Sequence, residues 1–341
     1  MSPLPSAKLV ARVYNCPLPF ARAYSVSWKS IAKYRGYLHL DTMHSTSHQI
    51  ICIGSVLWDI IGRTPREMRV GNDMPGRITR LPGGVAMNIA MTLARFGLSP
   101  VLLSALGRDK AGQELIKTAQ DLGLVTDHIY LSARPTDAYM AIEGMNGLIA
   151  AIADAHSLED AGAAILTPLM DGTLGSALAP YRGAIALDGN LTEALLSEVS
   201  QSEAFVAADL RIAPASPGKA ERLRAIIGHK GATLYVNLEE AELISGKTGL
   251  PTARAGAEAL LEAGARRVVV THGADAACDA CVRETYEAEP PQVIAQRITG
   301  AGDTFMAAHI AGEIEGMSRP KALEFAQKTA AAYVAGDDNY V

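Results

Sequence analysis

"ITGAGDTFMAAHIAGEIEG", residues 298–316, sets three small residues and a carboxylate in front of an apolar helical run. Gly300, Ala301 and Gly302 let the backbone approach something closely, and Asp303 stands where a helix over 303–316 is expected to begin. A helix start offers unbonded N–H groups and the positive end of the dipole, so the expected partner is an anion. The same residues also fit a plain helix cap, because Asp is favoured there. A dinucleotide fingerprint is excluded, since its third glycine and its early strand–helix–strand position are both missing, and no GxxxxGKS/T phosphate loop occurs.

Working back from this stretch, short β-rich runs alternate with helical ones from residue 50 onward. Strands are expected at "IICIGSVL" (50–57), "VLLSAL" (101–106), "AIAL" (184–187), "AFVAAD" (204–209), "TLYVN" (233–237) and "RVVVTHG" (267–273). Helices are expected at 85–97, closed by Gly97, at 111–123, stopped by Gly123, and at 252–264. Such alternation implies an α/β fold with a mostly parallel sheet covered on both faces. Two segments break the rhythm. "RTPREMRVGNDMPGRITRLPGG" (63–84) is rich in Pro, Gly and Arg, and "DAYMAIEGMNGLIAAIAD" (137–154) reads as a hairpin around Asn146-Gly147. A small β-lid from residues 63–84 and 136–155 would account for both, leaving 49–62, 85–135 and 156–341 as the core.

Composition narrows the classes. The 341 residues are 49% hydrophobic and 20% charged with a net charge of −5, which describes a folded acidic protein rather than a nucleic-acid binder. No apolar run is long enough to span a membrane. Four cysteines are too few for a disulfide scaffold and suggest a reducing, cytoplasmic setting. Cys278 and Cys281, in "CDAC", lack two further zinc ligands and are expected in a variable surface turn. Residues 1–48 carry six basic residues against one acid, a net +5 that leaves −10 for the rest. They read as a transit-type leader or as an extension from a start assigned too early, with Met43 the true start.

A second constellation is "LPGGVAMNIA" (81–90). Gly83 and Gly84 permit close backbone contact with a ligand, and Asn88 on the following helix can both donate to and accept from hydroxyls. A glycine turn with a solvent-facing Asn fits equally. Upstream, "GSVLWD" puts Asp59 just past a strand end, a natural place for a carboxylate that grips sugar hydroxyls. Asp154, ending the hairpin, either bonds a substrate from the lid or is a simple turn residue.

Taken together, GSVLWD (54–59), PGGVAMN (82–88), LSALGRDKAGQEL (103–115), NLEEAEL (237–243), VTHGAD (270–275) and TGAGDTF (299–305) resemble the ribokinase-like (PfkB) family of carbohydrate and nucleoside kinases. The resemblance runs over residues 50–335 and leans toward pseudouridine kinases, through 72–90, "AAIAD" (150–154) and "SPGK" (216–219). It implies a three-layer sandwich with a lid, and ATP-dependent transfer to a primary hydroxyl of a ribosyl compound. By the same resemblance Asp303 is the base, and the amides of Gly300, Ala301 and Gly302 stabilise the transferred charge. Asp59, Gly84 and Asn88 would hold ribose hydroxyls. Asn237 would lie near the phosphates, Glu240 would organise water-bound Mg²⁺, and Thr271, Gly273 and Lys219 would line the nucleotide. Glu239 is expected in solvent. Three departures stand out. Arg297 replaces an acidic residue tied to a monovalent cation, while Met74 and Met87 replace polar residues near the substrate. A homodimer through the lids is a further implication. A plain ribokinase, or a binding protein without catalysis, remains an alternative.

Overall fold

Ile51 and Ile53 face one side of a central sheet, Ile50 and Cys52 the other, and all four are fully buried. A strand apolar on both faces belongs inside a parallel sheet covered by helices. The computed structural model describes residues 49–337 and 340. The leader reading, which falls on residues 1–48, lies outside them.

The chain runs through β1 (Gln49–Ile53), β2 (Leu57–Arg63), β3 (Arg77–Gly83) and α1 (Val85–Arg95). Next come β4 (Ser99–Leu103), β5 (Ala105–Gly107), α2 (Lys110–Asp121), β6 (Tyr130–Ser132), β7 (Ala138–Gly144) and β8 (Gly147–Asp154). They are followed by α3 (His156–Ala161), α4 (Thr167–Met170), β9 (Ala184–Asp188), α5 (Glu193–Gln201), β10 (Asp209–Ala213) and β11 (Ala232–Asn237). The last part is α6 (Leu238–Ser245), α7 (Ala253–Glu262), β12 (Arg267–His272), β13 (Asp275–Cys281), β14 (Thr285–Ala288), α8 (Ala301–Ile314) and α9 (Arg319–Val334).

Eight strands form the main sheet in the order β14-β13-β12-β11-β10-β9-β1-β4. The run from β4 to β12 is parallel, and β13 and β14 close one edge antiparallel. One face packs against α5, α6 and α7, the other against α1, α8 and α9, so the core lies in two apolar layers. Each fully buried Leu or Ile in those layers contributes about 1.5–3 kcal/mol of transfer free energy. A separate four-stranded sheet, β3-β2-β7-β8, stands apart.

Several expected boundaries shift for physical reasons. The first strand ends at Ile53, because Gly54 (φ 147) turns the chain so tightly against Asp188 that a Cβ would overlap it. Leu57 onward therefore belongs to the small sheet and not to the core segment 49–62. The strand expected over 101–106 divides at Ser104, whose hydroxyl donates to the Gly54 carbonyl at 2.6 Å. The strand expected over 204–209 begins only at Asp209, since Ala204 and Phe205 form a 3₁₀ turn that buries the Phe205 ring. "CDAC" is no surface turn. It lies in β13 against β12, with Cys278 fully buried.

Candidate active site

The parallel strands deliver their carboxyl ends to one edge, where an α/β sheet binds ligands. Gly300 enters α8 with φ 86 and puts the helix start at Ala301, two residues before the expected one. Asp303 thus sits in the first turn, half-buried. Its carboxylate accepts a hydrogen bond from the Asn88 side chain on α1 at 2.9 Å. Burial pushes the Asp303 carboxyl up to about 7. The Asn88 bond pulls it down, and the charges of Asp188, Asp59 and Glu240 push it up again. Of the three amides expected to meet an anion, that of Ala301 donates to the Ile298 carbonyl at 3.0 Å. Those of Gly300 and Gly302 have no acceptor among the described residues.

Gly83 and Gly84 are explained by contacts within the protein. A Cβ on Gly83 would overlap the Asp59 carboxylate, and one on Gly84 (φ 93) would lie 2.5 Å from the Ser55 carbonyl. The two glycines let Asp59 and Ser55 pack closely against the turn that leads into α1. Asp59 is half-buried within β2 rather than past a strand end, and burial raises its carboxyl to about 6. Ser55, Asp188 and Asn190 were not among the expected residues. Asp188, fully buried at the end of β9, accepts from the Ser55 amide at 2.7 Å and hydroxyl at 2.5 Å, and from the Asn190 amide at 2.8 Å. Asn190 in turn accepts from Lys219 Nζ at 2.6 Å, tying that lysine to the same edge. A signal existed, namely a carboxylate closing an apolar strand ahead of Gly189-Asn190.

Asn237 caps α6 by accepting from the Glu240 amide, while Glu240 Oε2 accepts from the Asn237 amide at 2.8 Å. Glu240 is buried, which raises its carboxyl to about 7, and Glu239 is exposed. A cavity of about 110 Å³ brings together Asn237, Glu240, Thr271, Gly302, Asp303 and Phe305. It adjoins an apolar cavity of about 340 Å³ that shares Thr271, Gly302 and Phe305 and adds Gly273, Ala301 and Val293. Glu240 and Asp303 both line the smaller cavity, and carboxylate oxygens are the ligand type that a hard divalent cation takes, so these residues fit Mg²⁺.

A match to the model of the pfkB family carbohydrate kinases spans residues 47–337. The chain belongs to this family. This pfkB kinase is 27% identical over 283 residues to the pseudouridine kinase of Escherichia coli K12, covering 82% of this chain and 88% of that one. It superposes on a carbohydrate kinase from Agrobacterium tumefaciens with a TM-score of 0.70 at 25% identity, covering 86% and 95% of the two chains. The Arabidopsis thaliana ribokinase complexed with ribose and ATP shares the fold, with a TM-score of 0.64 at 18% identity over 84% and 92%. The fold is therefore ribokinase-like, and the chain is a sugar-kinase-type phosphotransferase acting on a hydroxyl group.

In this pfkB kinase Asp154 is exposed at the end of β8, with His156 at 3.9 Å. Met87 is fully buried in the core, and Met74 lines a cavity of about 240 Å³ on the small sheet. At the opposite end of the sheet lies a buried ion-pair network. Asp279 accepts from Arg267 at 2.9 and 2.7 Å and from Arg319 at 3.1 and 2.5 Å. Glu313 accepts from Arg267 and Arg211. Asp279, His309 and Glu313 bring three ligand atoms within 4.8 Å of one another. Guanidinium groups already occupy both oxygens of each carboxylate, so the set does not suit a metal.

Proposed function

We propose that this kinase transfers the γ-phosphoryl group of ATP to the primary 5′-hydroxyl of a ribosyl compound, with pseudouridine as the first candidate. The observation that carries this reading is the Asn88–Asp303 hydrogen bond, with Asp303 and Gly302 lining the smaller cavity. Asp59, Gly83, Gly84 and Asn88 hold the sugar hydroxyls, and Asp154 reaches it from the small sheet acting as a lid. Thr271, Gly273, Asn237 and Lys219 line the nucleotide.

The chemistry needs alignment and charge compensation more than any covalent step. Asp303 orients the acceptor hydroxyl in line with the phosphorus. As the new O–P bond forms and the bond to the leaving phosphate breaks, its carboxylate takes the hydroxyl proton. The free amides at the start of α8 face the charge that spreads over the transferred group. Mg²⁺, held through water by Glu240, would supply neutralisation of the phosphate charge. Lid closure excludes water, which would otherwise compete as the acceptor. Ile78, Met140 and Ile152, exposed at 77%, 48% and 69% on that sheet, support a homodimer through it. The cysteine usage supports a cytoplasmic setting.

The second reading, a plain pentose kinase, is favoured by Met87, whose burial leaves no polar contact for a nucleobase. A screen of nucleosides and pentoses with coupled ADP detection separates the two. Pseudouridine is expected to raise turnover far more than ribose. Equal or reversed responses remove the nucleoside, and no response to any acceptor removes phosphoryl transfer in favour of a binding protein.

A further inference from the structure

The turn that presents the bare amides is held from behind. Residues 296–300 have no regular structure, yet the Gln296 and Arg297 amides both donate to the Val334 carbonyl, at 2.8 and 3.2 Å. The Arg297 guanidinium donates to the carbonyls of Tyr333 at 2.7 Å and Asp337 at 3.0 Å. These carbonyls gather at the C-terminal end of α9, where the helix dipole favours a cation. The guanidinium also lies 4.0 Å from the centre of the Tyr333 ring. Tyr333 then donates its hydroxyl to the Thr299 carbonyl at 2.8 Å.

That carbonyl and the Gly300 N–H belong to one planar peptide, and in a trans peptide they point in opposite directions. Holding the oxygen toward Tyr333 turns the Gly300 N–H away from α9. The glycine at 300 admits this geometry twice over. Its φ of 86 is left-handed, and a Cβ would lie 2.7 Å from the Tyr333 hydroxyl. We infer that Arg297 is a positioning residue for phosphoryl transfer, a built-in cation that fixes Tyr333 and through it the Thr299–Gly300 peptide with its amide facing the transferred phosphate. Without it the peptide is free to flip and to set a carbonyl oxygen against the anion.

The inference rests on the proposed transfer reaction, and the experiment separates the two. Arg297→Ala, Arg297→Lys and Tyr333→Phe are compared with the wild type by coupled ADP assay and by calorimetric titration with a non-hydrolysable ATP analogue and with the acceptor. Arg297→Ala is expected to lose about tenfold or more in kcat with acceptor affinity unchanged. Millimolar guanidinium should restore much of that loss, and Arg297→Lys should retain part of the activity. Tyr333→Phe should show a similar kcat loss that guanidinium does not repair. A kcat equal to wild type in Arg297→Ala, or a loss that neither guanidinium nor lysine relieves, overturns the inference. If the wild type turns over no acceptor, the transfer reading fails by itself. The role of Arg297 is then decided by the affinity for a non-hydrolysable ATP analogue that keeps the γ-phosphate, expected about tenfold weaker in Arg297→Ala and contradicted by equal affinity.

Discussion

The side-chain amide of Asn88 lies 2.9 Å from the carboxylate of Asp303, joining two helix starts 215 residues apart in sequence. The bond fixes which way the carboxylate faces and opposes the rise in its pKa that burial causes. Asp303→Asn keeps the shape and the hydrogen bond but removes the base. Phosphoryl transfer should fall by about 10²–10⁴-fold while acceptor binding, followed by calorimetry, stays near wild type. Retained turnover would count against Asp303 as the base.

A pH profile follows from the same carboxyl. With its pKa at about 7, the active carboxylate form is gained as pH rises through neutrality, so kcat/KM should climb between about pH 6 and 8 and then level. Asn88→Ala deletes the bond that lowers the pKa, so the rising limb should move to higher pH. A profile flat from pH 5 to 8 in the wild type would be the contrary result.

Stability without ligand should show the opposite trend. Asp59, Glu240 and Asp303 have folded-state pKa values raised to about 6, 7 and 7. The native state therefore binds more protons than the unfolded chain between about pH 4 and 7, and stability is lost as pH rises through that window. Asp303→Asn removes one such group. Its Tm should exceed wild type by roughly 2–6 °C at pH 8 and by little at pH 4, as calorimetry would register.

The buried network predicts the reverse dependence at low pH. Burial alone would raise the Asp279 carboxyl, but hydrogen bonds from Arg267 and Arg319 hold it at about 2, and Glu313 also lies at about 2 beneath Arg267 and Arg211. Their stabilisation is present above about pH 4 and is lost as pH falls toward 2. Asp279→Ala leaves two half-buried guanidiniums without their shared partner and should cost about 3–5 kcal/mol in urea unfolding. A change below about 1 kcal/mol would mean that water compensates them.

Gly83→Ala tests the acceptor side. The added methyl would overlap the Asp59 carboxylate, so Asp59 must move. KM for the acceptor should rise about tenfold or more with KM for ATP little changed, measured in the same ADP assay. Equal effects on both would point to a general disturbance of the edge.

The local pattern of the chain determined the alternating elements, the Asn146-Gly147 hairpin, the Gly-rich approach to Asp303 and the residues around it. These follow from short-range rules of periodicity, turn chemistry and helix starts, which act over a few residues. It misplaced what depends on partners far away. β1 ends at Ile53 because Gly54 packs on Asp188, and "CDAC" is a strand because it pairs with β12 and β14. Only the fold decided that Asn88 would reach Asp303 and that Ser55, Asp188, Asn190 and Lys219 form one connected group. The reason is geometric. A parallel sheet collects the ends of strands widely separated in sequence along one edge, so contacts among them are set by strand order and crossover. Neighbouring residues do not encode that order.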